Sequence, residues 1–117
     1  MSARPFPDGF YDGVRRFAVG EYYEAHEAFE DCLDAVEGDD RWDLLVALIQ
    51  VAVGYHKLAS GHPGAERMLG LGSEKLESFP DVAWGIDVAA LRRRVAVDRE
   101  RADATALAAV RPRIPLG

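Results

Sequence analysis

The sequence predicts an all-α fold, a bundle of five or six helices around a central, apolar third helix. Apolar residues recur at the three- and four-residue spacing of helices along almost all of the 117 residues, and convincing strand-like alternation is lacking. Residues 44–55 are apolar on every side of a helix except at Gln50, whereas a surface helix has one apolar stripe. We therefore expect this segment to form the central helix of a single helical domain spanning residues 1–117.

Turn-forming residues separate the first three predicted helices. Asp8 can cap a first helix that ends at Gly20, and a second helix is expected over residues 21–36. The GDD sequence at residues 38–40 then leads into the third helix, which is expected over residues 41–59. This short connection predicts that the second and third helices pack antiparallel.

The second half of the chain predicts two or three further helices. Pro63 fits the first position of a fourth helix, which stops at Pro80. Residues 82–86 are expected to form a loop, after which Asp87 caps a fifth helix. The following alanines either prolong that helix or form a short sixth one. Residues 110–117 contain two prolines and predict a non-helical tail.

Charge and composition argue against nucleic-acid and membrane partners. The formal charge is −6, whereas nucleic acids and anionic lipids favour a basic surface. The arginine run at residues 92–94 has no interleaved aromatic residues, so we interpret it as a solvated helix face. The most apolar run has twelve residues, fewer than the roughly 20 that a membrane span needs.

The single cysteine, Cys32, rules out an internal disulfide and fits a reducing compartment. Because the first residues also lack the apolar stretch of a signal peptide, we expect a cytoplasmic protein. Cys32 lies on the apolar seam of the second helix, so we interpret it as a core residue and not as a nucleophile.

A polar stripe runs beside the apolar seam of the second helix and contains Tyr23, His26, Glu27 and Glu30. Glu30 can hold one imidazole nitrogen of His26 while the other nitrogen points inward. Such a nitrogen can act as a general base or as a metal ligand, which makes His26 and Glu30 the candidate catalytic residues.

The third helix supplies the possible partners of this stripe. Gln50 interrupts its apolar segment, and a buried amide must find hydrogen bonds. In the antiparallel arrangement His26 and Glu30 would face Gln50 and His56. The candidate binding residues are therefore Tyr23, Glu27, Gln50 and His56.

Three interpretations of this convergence remain open: a structural hydrogen-bond network, a small-molecule site and a metal site. Zinc usually needs three or four ligands, and the chain lacks HExxH and CxxC motifs. His26, Glu30 and His56 are thus only weak candidate ligands, and no cofactor is predicted. His62 lies in a Gly/Pro turn and is expected to act as a surface cap.

Three segments together resemble the domain-of-unknown-function 309 family, whose members are small all-helical proteins of bacteria and archaea. They are YYEAHEAFED at residues 22–31, LIQVAVGYHKLASGHPGA at 48–65 and GID at 85–87. The resemblance covers roughly residues 10–95 and implies an all-helical fold but no activity. It implies that the recurring motif positions are Tyr23, Glu24, Ala25, His26, Glu27, Glu30, Gln50, His56, Gly61, Gly64 and Ala65.

The chain departs from the family pattern at three places. Ala18 stands where the family usually has Asn, and Leu33 stands where a Trp usually follows the EAHE motif. The usual Gly-Asn turn is here Gly61-His62. The loss of Asn weakens any site built around that side chain, whereas the loss of Trp can be absorbed by repacking.

Two classes of function are consistent with these features. In the first, the protein is a non-catalytic binding or protein-interaction module, and a His-Glu-Gln network holds the second and third helices in register. In the second, the same network lines a pocket of a small-molecule or metal-dependent enzyme. The partner is an unknown protein or small molecule, and a homo-oligomer interface on one flank of the third helix is possible.

Overall fold

Six α-helices account for most of residues 4–116, which are those that the computed structural model describes. A 3-10 turn, Asp34–Val36, follows the second helix, and a short antiparallel hairpin precedes the fifth. The predicted all-α fold is therefore confirmed. The elements are α1 (Asp8–Ala18), α2 (Tyr22–Glu30), α3 (Asp40–Ala59), α4 (Ala65–Leu76), β1 (Val82–Ala83), β2 (Ile86–Asp87), α5 (Val88–Arg101) and α6 (Ala104–Ala109).

Helix α3 is the centre of the bundle, as predicted. It packs against α2 on one side and against α4 on the other. Tyr55 of α3 reaches the elements that lie outside this three-helix layer. Its ring centroid lies 5.5 Å from that of Phe17 in α1, and its hydroxyl is bonded to Asp98 in α5. Helices α1 and α5 therefore cover the same side of α3.

The neighbouring helices cover α3 over only part of its circumference. Most residues of its apolar segment are buried, but Val46, Ile49, Gln50 and Val53 are only half-buried. Packing on every side was the expectation from the sequence. One face of the central helix is instead only partly covered by its neighbours.

The second helix is shorter than predicted and ends at Glu30 instead of residue 36. The backbone N–H groups of Cys32 and Leu33 donate to carbonyl groups three residues back, at distances of 3.1 Å. These tighter turns replace the α-helix while still burying residues at three- and four-residue spacing. Asp8 is the first residue of α1 and not its cap, because Pro7 occupies the cap position.

Helix α4 begins at Ala65, and Pro63 lies before it instead of at its first position. The expected loop after α4 contains a hairpin whose turn residues Trp84 and Gly85 both have positive φ, as in type I′ turns. Asp87 caps α5 as predicted, because its carboxylate accepts a 2.9 Å hydrogen bond from the N–H of Ala90.

The alanines after α5 form a separate sixth helix. Ala102 adopts the left-handed conformation, with φ of 48°, and ends α5. Residues 110–116 are non-helical, and Leu116 forms a bridge to Ile86. Residues 1–3 and 117, the ends of the predicted domain, lie outside the described part. Between residues 4 and 116, no helix has both the length and the apolarity to cross a membrane.

Candidate functional site

His26 lies on the shoulder of α2, between its buried face and solvent. Only 14% of its side chain is exposed. Its Nδ1–H donates a hydrogen bond to the carbonyl oxygen of Tyr23, and its Nε2 lies 3.6 Å from Oε1 of Glu30. Because a carbonyl oxygen can only accept, Nδ1 carries a proton, and Nε2 is the nitrogen that faces the carboxylate.

Tyr23 joins this shoulder to α3. Its ring centroid lies 4.8 Å from that of His26 in an edge-on contact and 5.4 Å from that of His56. Even so, 48% of Tyr23 is exposed. We call Tyr23, His26 and His56 the tyrosine–histidine cluster. Four of the candidate residues, namely these three and Glu30, therefore come together at the α2–α3 edge.

Gln50 is not joined to the tyrosine–histidine cluster by the described contacts. It precedes His56 by six residues, which at 100° per residue places the two about 120° apart around α3. Its Oε1 atom is shielded from solvent and lacks a hydrogen-bond partner among residues 4–116. The predicted antiparallel packing thus brings His56 to the stripe and points Gln50 to another side.

Two carboxylates extend the cluster along α2. Glu27 follows Tyr23 by one turn and Glu30 follows it by nearly two, and both are exposed. Within the described part of the chain, neither carboxylate has a Lys or Arg nitrogen within 4.0 Å. Among the described residues, the surface beside Tyr23 therefore carries two carboxylates that form no ion pair with a Lys or Arg side chain.

The best-formed grooves of the described chain lie away from these residues. The largest of five grooves, about 600 Å³, lies between α4 and α5 and has Arg99 at its edge. Five of the best-formed grooves on residues 4–116 are all lined by residues outside the tyrosine–histidine cluster. Over the same residues, no three His, Cys, Asp or Glu side chains are grouped so that they could hold a metal ion.

Sequence analysis missed a buried polar network on the covered side of α3. The hydroxyl of Tyr55 donates a 2.6 Å hydrogen bond to Oδ2 of Asp98, and Nε of Arg94 donates to the same oxygen at 2.7 Å. Arg94 also donates to the carbonyl oxygen of Val110, so it is not part of a purely solvated face. Burial, followed by the hydrogen bond with Asp98, raises the pKa of Tyr55 far above its usual range. The four-residue spacing of Arg94 and Asp98 was the available signal.

Two other residues have the structural roles expected of them. Cys32 is buried, its thiol donates to the carbonyl of Ala28, and burial raises its pKa. Nδ1 of His62 accepts a 3.0 Å hydrogen bond from the N–H of Gly64, which makes it a surface cap. Neither side chain contributes to the tyrosine–histidine cluster.

Comparison with protein families identifies the family to which the chain is similar. A family model described as "Domain of unknown function (DUF309)" matches residues 10–69, just over half of the chain. The match includes the tyrosine–histidine cluster and ends before the GID segment at residues 85–87. No curated protein is significantly similar to the chain.

Proposed function

This chain belongs to the DUF309 family, and we propose that it is a non-catalytic protein-interaction module. In this proposal it binds a Lys- or Arg-containing segment of a partner protein at the tyrosine–histidine cluster. The supporting observation is the position of Tyr23, whose half-exposed ring contacts the rings of both His26 and His56.

A ring held in this way favours binding because little conformational freedom remains to be lost. An exposed tyrosine on a lone helix would sample several rotamers, whereas the two histidine contacts restrict Tyr23 before a partner arrives. Tyrosine is also enriched among the residues that dominate binding energy at protein interfaces. The ring leaves nearly half of its surface available for such a contact.

The charges around the ring favour a basic partner. An aromatic face attracts Lys and Arg side chains, and the carboxylates of Glu27 and Glu30 can then accept charge-assisted hydrogen bonds from them. The chain as a whole is acidic, with a formal charge of −6, which speeds encounter with a basic segment. An acidic segment would meet repulsion at the same place.

The catalytic alternative for His26 and Glu30 has less support. A catalytic base needs a cleft in which a substrate can approach it. Five of the best-formed grooves on residues 4–116, including one of about 600 Å³, are lined by other residues. The observations therefore favour the binding function over the enzyme.

The test is a titration of the protein with short labelled peptides, followed by fluorescence anisotropy. We expect an Arg/Lys-containing peptide to bind and a glutamate-containing peptide of the same length not to bind. Tyr23→Ala should weaken binding by about tenfold or more, since it removes an interface anchor. Tyr23→Phe, which keeps the ring, should bind almost as the wild type does.

A matched pair of charge variants separates the local effect from the overall charge. Glu27→Gln/Glu30→Gln should weaken binding more than Glu74→Gln/Glu77→Gln, which removes two exposed carboxylates of the same spacing at the carboxyl end of α4, one in its last turn and one just after it. An equal loss of affinity in both double variants would show that binding depends only on the net charge of the protein. Unchanged binding in Tyr23→Ala would also contradict the proposal.

A further inference from the structure

Five residues line one side of α3, where the helix is not covered by its neighbours. Their spacing of three, four, three and four residues keeps them along one side of a helix. Val46, Gln50, Val53 and Lys57 are half-buried and Asp43 is exposed. We call these five residues, Asp43, Val46, Gln50, Val53 and Lys57, the open face of α3.

The centre of the open face contains a polar atom that lacks a hydrogen-bond partner among the described residues. Oε1 of Gln50 is shielded from solvent and has no partner within residues 4–116. An unsatisfied acceptor of this kind costs about 1–3 kcal/mol. The terminal torsion of a glutamine side chain is broad, so its amide can rotate towards a donor brought by another molecule.

Charge is distributed symmetrically about Gln50. Asp43 precedes it by seven residues and Lys57 follows it by seven, which places each about 10 Å away along the helix axis. Val46 and Val53 occupy corresponding positions four residues before and three after. Neither Asp43 nor Lys57 forms an ion pair with another residue of the described chain.

We propose that the open face binds a second copy of this chain, with the two α3 helices antiparallel and Gln50 on the two-fold axis. Such an interface uses the same surface twice, so each contact occurs in two copies. Asp43 of each protomer pairs with Lys57 of the other, and Val46 opposes Val53. The two Gln50 amides lie side by side and hydrogen-bond reciprocally.

The charges select this arrangement over a parallel one. In a parallel dimer Asp43 would face its own copy, and so would Lys57, which places like charges together at both ends. The open face also contains both signs of charge, so it complements itself. Lys75 of α4 borders the groove that Asp43 lines, but it forms no ion pair there and leaves the carboxylate available.

This dimer goes beyond the proposed function and does not depend on the tyrosine–histidine cluster. Loss of peptide binding in Tyr23→Ala would not count against the dimer. Conversely, a monomeric protein could still bind a basic peptide. The two proposals therefore fail in different experiments.

The first experiment is sedimentation equilibrium over roughly a hundredfold range of concentration, because association depends on concentration by mass action. We expect a monomer–dimer equilibrium for the wild type. Asp43→Lys and Lys57→Glu each place like charges together and should raise Kd by about tenfold or more. The double variant Asp43→Lys/Lys57→Glu restores opposite charges and should recover most of the affinity.

This rescue separates an interface effect from a folding effect. Asp43 lies near the amino end of α3 and Lys57 near its carboxyl end, so both reversals oppose the helix dipole. If the dimer were lost only because the fold is weakened, the double variant would be worse than either single one. Arg93→Glu, a reversal at an exposed position on α5, is the matched control and should not change Kd.

A second experiment tests the position of the axis. Gln50→Cys should form a disulfide with its own copy under mild oxidation, because a residue on the axis lies within the roughly 7 Å Cα separation that a disulfide needs. Val97→Cys, at an exposed valine of α5, should not crosslink. Buried Cys32 can remain in both variants. A wild type that stays monomeric, a charge swap without rescue, or equal crosslinking at both positions would overturn the proposal.

Discussion

The Tyr55 hydroxyl donates a 2.6 Å hydrogen bond to the Asp98 carboxylate and so joins α3 to α5 inside the core. The two residues are 43 positions apart in the sequence. Asp98 is only 7% exposed, and the Arg94 guanidinium offsets its charge at 2.7 Å. The bond therefore holds the covered side of α3 in register with a helix that α3 contacts only weakly elsewhere.

Tyr55→Phe removes this hydroxyl and leaves the ring in place. We expect the free energy of unfolding to fall by about 1.5–3 kcal/mol, the range for hydrogen bonds to charged groups. Chemical denaturation measures the change. Tyr23→Phe, at a half-exposed ring, is the control and should have almost no effect. Equal stability of Tyr55→Phe and wild type would show that the buried bond does not contribute.

The same tyrosine predicts a loss of stability at alkaline pH. In the folded protein its pKa is raised above the usual tyrosine value of about 10, by burial first and then by Asp98. Above about pH 10 the unfolded chain therefore releases a proton that the folded chain retains, and Tyr55 favours unfolding by about 1.4 kcal/mol per pH unit. Below that pH its contribution is fully present.

The difference between wild type and Tyr55→Phe isolates this contribution from the other groups that titrate there. Tyr22 and Cys32 also have raised pKa values because they are buried, and they remain in both proteins. We expect the stability of the wild type to fall more steeply between pH 10 and 11 than that of the variant. Parallel curves would contradict the prediction.

Helical spacing of apolar residues, together with the capping, glycine and proline residues between helices, predicted most of the fold. It did not predict the long-range contacts. The cap at Asp87 and the central place of α3 follow from local patterns. The early end of α2 does not, because the turns after Glu30 bury residues at nearly the same spacing as a helix. The hairpin was missed because two-residue strands are too short to show alternation.

The candidate site was predictable where it depended on neighbours along one helix. Tyr23 and His26 are three residues apart on α2, so their contact follows from helix geometry. The contact between Tyr23 and His56 also required the antiparallel packing of α2 and α3. Gln50 was expected at the same place because its side of α3 could not be assigned while every side appeared apolar. The side of α3 on which Gln50 lies is determined by how α3 packs against α2 and α4, which the sequence pattern did not show.

Two glycines predict opposite responses to alanine. A Cβ at Gly54 would lie 2.7 Å from a methyl carbon of Leu69 and 3.0 Å from its backbone nitrogen, so α4 would have to move away from α3. We expect Gly54→Ala to destabilise the fold by about 1–3 kcal/mol despite the better helix propensity of alanine. At Gly70 the contact is with the guanidinium of Arg99, a flexible side chain that can move.

Gly70→Ala should therefore be neutral or should stabilise the protein by up to about 1 kcal/mol, since alanine is the better helix former. Thermal unfolding of both variants measures the contrast. A stabilised Gly54→Ala would mean that α3 and α4 separate easily. A strongly destabilised Gly70→Ala would mean that Arg99 is fixed in place.

His26→Ala tests whether this histidine is structural. The change removes the hydrogen bond from Nδ1 to the Tyr23 carbonyl and the edge-on contact with the Tyr23 ring. We expect a loss of about 1 kcal/mol, or roughly 3–6 °C in Tm. His56→Ala removes only one ring contact at an exposed position and should cost less.

The same unfolding experiment with Zn²⁺, Mn²⁺ or Fe²⁺ tests the metal interpretation of His26, Glu30 and His56. A metal that bound the folded protein would raise its Tm in proportion to the logarithm of the metal concentration. We expect no rise in either protein, because Nδ1 of His26 is occupied by the Tyr23 carbonyl and Nε2 faces one carboxylate only. A metal that stabilised the wild type but not His26→Ala would instead make the shoulder of α2 a metal site, and the histidine would then be kept for binding and not for packing.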